Sequence, residues 1–320
     1  VRFQPRAQSP VLPFVDDAKI MRKDNHLSLL RLGSAGLRKA AEALDHATAA
    51  QKIRAARRAG AVLDEYASGM PSGQNAVDAL PGWNLALPDH VGVKAGRGTL
   101  YNDPRILWAL EQFGSIEGSK ILELGPLEAA HTYLLERHGP AVIHAIEANK
   151  LSFLRCLVVK ELLELQRARF FLGDFMEWLE HSPERYDLIV ASGVLYHLPN
   201  PVRLLELLAK AGGAFYLWTH YASDEAMPAG DPRRSAFLGA AETQESHGIR
   251  VRLHKRSYHG AWLSKSFCGG MHDIHCWMEK DDILAVIRAL GFTDIRVAHD
   301  EPGHPNGPSF SVFARRAQSQ

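Results

Sequence analysis

The stretch Lys120-Ile121-Leu122-Glu123-Leu124-Gly125-Pro126-Leu127-Glu128-Ala129-Ala130-His131 decides the fold. A short apolar run of strand length ends at a glycine, and residues suited to a helix follow. Gly125 lets the backbone turn tightly and come close to a ligand, while the helix beyond it presents its free N–H groups. A dinucleotide cradle would require Gly-x-Gly-x-x-Gly, and only Gly125 is present. This argues against a pyrophosphate site and a nicotinamide enzyme.

Outward from this unit, strand-length apolar runs alternate with helical periods, the pattern of a parallel sheet flanked by helices. Strands are predicted at Lys120–Leu124, Val142–Glu147, Arg169–Gly173, Leu188–Ser192 and Ala214–Thr219. Leu151, Leu154, Val158 and Leu162 read as the buried face of a crossover helix, and Val202, Leu204, Leu205 and Leu208 as that of another opened by Pro199 and Pro201. A last helix over Asp281–Leu290 leads to runs at Ile295–Ala298 and Phe310–Ala314, joined by the turn-rich 302–308. The expected fold is α/β: a doubly wound, mostly parallel seven-stranded sheet with a C-terminal antiparallel hairpin. Residues 1–80 form a helical N-terminal extension, and residues 81–320 a Rossmann-like domain with a lid or substrate insertion at 221–278.

With 37 Lys plus Arg against 36 Asp plus Glu, the formal net charge is +1, so no global basic field gathers nucleic acid. Arg38, Lys39, Lys52, Arg54, Arg57 and Arg58 are read as a solvated helix face. Three unevenly placed cysteines, no apolar run near the roughly 20 residues of a membrane span and no signal-peptide core at 1–10 suit a reduced cytoplasmic setting away from membranes.

In open α/β sheets a ligand sits just past the strand ends. Four junctions carry suitable chemistry. Glu123 and Gly125 stand at the first, with Pro126 and His131 beyond. Glu147-Ala148-Asn149 at the second offers a carboxylate to both hydroxyls of a ribose. Gly173-Asp174-Phe175 at the third offers a polar contact and an apolar ring to an adenine. Ser192-Gly193 at the fourth supply small residues, followed by Val194-Leu195-Tyr196-His197. This ordered series, with Tyr186-Asp187-Leu188-Ile189-Val190, resembles the class I S-adenosylmethionine methyltransferases over roughly residues 100–220. The resemblance implies S-adenosylmethionine as cofactor, with Glu123 and Gly125 near its methionine end, Glu147 on the ribose, and Asp174 with Phe175 on the adenine.

Gly193-Val194-Leu195-Tyr196-His197 and His131 further resemble the tRNA wobble-uridine carboxymethyltransferase branch. That branch holds a carboxylated cofactor with upstream cationic and aromatic residues, where this chain has only Gly96-Arg97-Gly98-Thr99-Leu100-Tyr101 and Arg105. Ordinary S-adenosylmethionine is therefore expected. Gly125-Pro126-Leu127-Glu128 departs from the family's glycine pattern, which shifts the methionine carboxylate toward Arg105 or Tyr101.

Methyl transfer from a sulfonium is an in-line displacement that needs positioning and, for a hydroxyl acceptor, a base. His197 and His220, after the fourth and fifth strands, are the candidates, and Tyr196 is read as lining the cofactor. The nearly sixty residues after His220 hold His247, His254, Tyr258, His259, Trp262, Lys265, Cys268, His272, His275, Cys276 and Trp277, suited to a polar acceptor pocket. Cys268, His272, His275 and Cys276 include zinc-type ligands, but their irregular spacing predicts no metal. Trp83 is expected in the core. The leading expectation is methyl transfer to a hydroxyl of a small molecule or glycan. Transfer to tRNA and a non-catalytic scaffold are the alternatives.

Overall fold

The computed structural model describes residues 66–260 and 269–317, with positions 44 and 51. The chain divides into two units, 1–69 and 70–320. Arg38, Lys39, Lys52, Arg54, Arg57 and Arg58 lie outside the described residues, as do Trp262, Lys265 and Cys268. Among the described residues no helix is long and apolar enough to cross a membrane.

The second unit begins with α1 (Gly73–Asp78) and α2 (Pro104–Phe113), then alternates β1 (Lys120–Leu124), α3 (Ala130–Glu136), β2 (Val142–Glu147), α4 (Lys150–Leu162), β3 (Ala168–Leu172), α5 (Phe175–His181), β4 (Leu188–Ser192), α6 (Pro201–Ala211) and β5 (Ala214–His220). Next come β6 (Glu242–Ser246), β7 (Ile249–Ser257), β8 (Ile274–Met278), α7 (Lys280–Ala289), β9 (Asp294–Glu301) and β10 (Ser309–Arg315). Seven strands form one sheet in the order β3-β2-β1-β4-β5-β10-β9, with β10 antiparallel to both neighbours. The expected doubly wound sheet and hairpin are present. Strand order reverses between β1 and β4, which opens a crevice at their carboxyl ends.

The sheet is apolar on both faces because helices cover both. Leu122 and Leu124 of β1 join a core with α6 and α7, whereas Ile121, one residue earlier and so on the opposite face, joins one with α2 and α3. In α6, Pro201 takes the first turn, the Asn200 side chain accepts from the Arg203 N–H at 3.1 Å, and Val202, Leu204, Leu205 and Leu208 are buried.

The expected stripe on α4 needs correction. Its buried residues are Ser152, Arg155, Cys156 and Val159, whereas Leu154 is exposed. The helix is turned by Arg155, whose guanidinium is drawn inward to the buried Glu128 carboxylate at 3.1 Å. Glu128 also accepts from the backbone N–H of Asn84 (2.9 Å) and Leu85 (2.8 Å), so one acid ties residues 84–85 to the loop after β1 and to α4. Trp83 packs in the same small core, its indole N–H donating to the Val77 carbonyl.

The 221–278 insertion contains a second, antiparallel sheet, β6-β7-β8. Val251, Leu253, Cys276 and Met278 belong to the α6–α7 core, and the Cys276 N–H donates to the Leu198 carbonyl at 2.9 Å. The insertion is thus seated on the loop after β4.

Candidate active site

A cavity of about 940 Å³ opens at the carboxyl ends of β1, β2 and β4. That is near the top of the roughly 300–1,000 Å³ range of small-molecule sites. Of the residues singled out above, Arg105, Gly125, Pro126, His131, Glu147, Ala148, Asn149, Asp174, Phe175, Ser192, Gly193, Tyr196 and His197 line it.

The floor is the loop after β1. Gly125, Leu127 and Ala129 all take left-handed φ values of 65°, 54° and 57°. A side chain at Gly125 would press on Val194, its Cβ 3.0 Å from Cγ1. The loop therefore keeps a glycine-type path although two of these residues carry a Cβ, at a cost of roughly 1–2 kcal/mol each. The Leu127 N–H donates to Glu147 Oε2 at 3.0 Å and the Asn149 N–H to Oε1 at 2.8 Å. Burial raises the Glu147 pKa, and these backbone bonds offset part of the rise. Asp174 caps α5, its Oδ1 accepting from the Met176 N–H at 2.8 Å.

At one side His131 Nε2 meets Asp103 Oδ2 at 2.9 Å, and Arg105 binds the same carboxylate at 2.7 Å. Burial pushes Asp103 up, but the hydrogen bonds from His131 and Arg105 prevail and hold it well below the usual carboxylate range. Arg105 also lies over the Trp218 ring at 4.4 Å. Asp103 escaped the sequence reading, although Asp before Pro104 at a helix start is a capping signal.

Four expected positions do not line the cavity. The Tyr101 hydroxyl donates to the Glu128 carbonyl at 3.0 Å and packs inward. Glu123 is buried under the loop, where it accepts from the Thr132 hydroxyl at 2.5 Å, and burial pushes its pKa up to about 6. The Gly173 N–H donates to the Glu147 carbonyl, continuing the sheet ladder. His220 is buried, its Nδ1 2.8 Å from the Gly307 carbonyl and its ring stacked on Trp277. The hairpin turn holds the His220 ring away from the cavity, whereas the sequence reading placed it facing an acceptor.

His197 does line the cavity. Its Nδ1 is hydrogen-bonded to the Tyr258 hydroxyl, which also accepts from the Gly270 N–H at 2.9 Å, and His275 stacks on Tyr258 at 4.1 Å. A Cβ on Gly270 would stand 2.4 Å from the His197 carbonyl oxygen, so only glycine lets residues 269–272 close over this histidine. Cys276, unlike His275, points into the α6–α7 core, and among the described residues no three potential metal ligands converge.

Burial, with nearby His275, His220 and Arg256, pulls the His197 pKa down to about 3, and burial with His304 pulls His220 to about 4. Both rings are neutral in the fold but ionise near pH 6.5 once unfolded. Below that pH the unfolded chain binds more protons, so stability present above pH 6.5 is lost as pH falls toward 4. Glu123 works the opposite way between pH 6 and 4.5, as does Glu147, but His144, His275 and His304 are lowered as well and act with the two rings. The urea midpoint is expected to be lower at pH 5 than at pH 7, with each histidine contributing on the order of 1–2 kcal/mol. A midpoint that rises at pH 5 would contradict the burial of these rings.

No protein-family model matches the chain. Among curated proteins, the tRNA U34 carboxymethyltransferase of Idiomarina loihiensis is 29% identical over 113 residues, 32% of this chain and 33% of that enzyme. The match thus spans about a third of the curated relative's length. Among solved structures, the N-terminal domain of EvdMO1 with S-adenosylhomocysteine (SAH) bound superposes with a TM-score of 0.57 at 22% identity, covering 79% of this chain and 100% of that one. The same domain in the presence of SAH and D-fucose gives 0.56 at 22%, over 77% and 95%. This is the class I methyltransferase fold. The loop after β1, the acid ending β2 and the cap of α5 are the parts of this methyltransferase fold that face its crevice.

Proposed function

We propose that the chain transfers the methyl group of S-adenosylmethionine to a hydroxyl oxygen of a small-molecule or glycan acceptor. The observation that carries this reading is Glu147: a carboxylate at the tip of β2, held by two backbone N–H groups at the cavity wall beside the Gly125 turn. The residues present fit the donor. Glu147 suits a ribose diol, Asp174 with Phe175 an adenine, and Arg105 at the rim a carboxylate. Tyr101 is occupied elsewhere and Arg105 is preferred for that end.

Bound S-adenosylmethionine supplies an electrophilic methyl group. The chain's own part is to hold the acceptor oxygen in line, exclude water and take up its proton. His197 is the base in this reading, since it lines the cavity as a neutral ring oriented by Tyr258. The presence of D-fucose with the EvdMO1 domain favours a polyhydroxylated acceptor.

Calorimetry tests the donor site. SAH is expected to bind, and Glu147→Ala to weaken it by about 1.5–3 kcal/mol, or roughly 10- to 150-fold. Equal affinity in the variant removes the ribose assignment. The acceptor is sought by SAH release with neutral and acidic sugars. The curated match favours tRNA as a second reading. It requires retention of tRNA at low salt and steep release as salt rises. A scaffold without catalysis would bind no SAH or lose nothing on substitution of His197.

A further inference from the structure

Among the described residues, the insertion contains a cation that no carboxylate pairs with. Arg256, on β7, lies over the Trp277 ring at 3.8 Å and the Phe237 ring at 4.7 Å. Its Nε and Nη1 are enclosed without a hydrogen-bond partner, and so is the indole N–H of Trp277. Among the described residues Arg256 makes no ion pair, although the arginines nearby on the same sheet, Arg250 and Arg252, each do. Ring contacts favour a guanidinium, but they satisfy none of its N–H groups, and burying such donors unmet is costly. Arg256 as a whole is half-buried, whereas Trp277 is buried. Trp277 stacks on His220 and stands 6.1 Å from Tyr196, which lines the cavity with His197.

Neither Arg256 nor Trp277 lines the cavity itself, but Trp277 stands directly behind its Tyr196 wall, and Arg and Trp donors left without an acceptor there match the needs of a carboxylate or phosphate oxygen. We propose that Arg256 and the Trp277 indole N–H receive the anionic group of the acceptor, so that the substrate is an acidic hydroxyl compound such as a uronic acid or a sugar phosphate. This rests on the methyl-transfer reading above for the word acceptor, but not for the anion site itself.

The test uses D-glucuronate, D-glucose 6-phosphate and D-glucose by calorimetry with saturating SAH, together with melting of the ligand-free protein in inorganic phosphate. At least one acidic sugar is expected to bind tenfold or more tighter than D-glucose, the two arms separating carboxylate from phosphate. Arg256→Met is expected to abolish that preference and Arg256→Lys to keep part of it. Ligand-free Arg256→Met is expected to melt no lower than wild type, because an uncompensated charge is removed. It should also lose the stabilisation that phosphate gives wild type. Equal binding of acidic and neutral sugars, an acidic preference that survives in Arg256→Met, or a drop of several degrees in the melting of ligand-free Arg256→Met overturns the proposal. The last outcome would mark a purely structural ring contact. If SAH does not bind wild type, the methyl-transfer reading fails, and the phosphate shift still judges the Arg256 site.

Discussion

Glu128→Ala is expected to lower the unfolding free energy by about 3–5 kcal/mol, measured by urea denaturation. Glu128 is fully buried and its carboxylate is the partner of the buried Arg155 guanidinium at 3.1 Å. Truncation leaves that cation uncompensated and frees the N–H groups of Asn84 and Leu85 from the oxygens that satisfy them. The loss also reaches the cavity, because Leu85 lines it. Glu128→Gln, which keeps an acceptor but not the charge, should fall between the two. A cost below about 1 kcal/mol for Glu128→Ala would mean that water replaces the acid and that the 84–85 segment is held by other contacts.

His197→Gln is expected to reduce kcat for the best hydroxyl acceptor by about 10²- to 10⁴-fold, the usual contribution of a general base. SAH affinity should stay within about twofold of wild type, since glutamine keeps a polar group of similar reach toward Tyr258. The separation of turnover from donor binding marks a proton-transfer role, for a collapsed wall would lower both. A fall of less than tenfold in kcat would leave positioning as the main source of rate and His197 as part of the cavity lining.

The sheet was legible because its evidence is local. Strands at β1, β2 and β4 coincide with their apolar runs, since a short continuous apolar run bounded by a turn needs no knowledge of distant partners. The same holds for Glu147 and Asp174, which stand where a strand stops and a helix is capped. The α4 stripe was misread because the side chain that orients the helix is an arginine, and hydrophobic periodicity gives no weight to a buried ion pair. The insertion's small sheet went unseen because β6 and β7 are rich in exposed polar and charged residues and gain their burial from α7 and the main core.

His197 and His220 follow the ends of neighbouring strands and looked equivalent in the chain. Their separation is a tertiary matter: the 302–308 turn folds back and takes the His220 ring, while Tyr258 and Gly270, both distant in sequence, close on His197 and leave it at the cavity. Residues whose neighbours lie within a few positions were thus determined by the sequence itself, through turn geometry and strand-length apolar runs. Arg155, His220, Tyr258 and Arg256 owe their surroundings to segments tens of residues away, and only packing of the whole chain decides which buried polar group finds a partner and which is left without one.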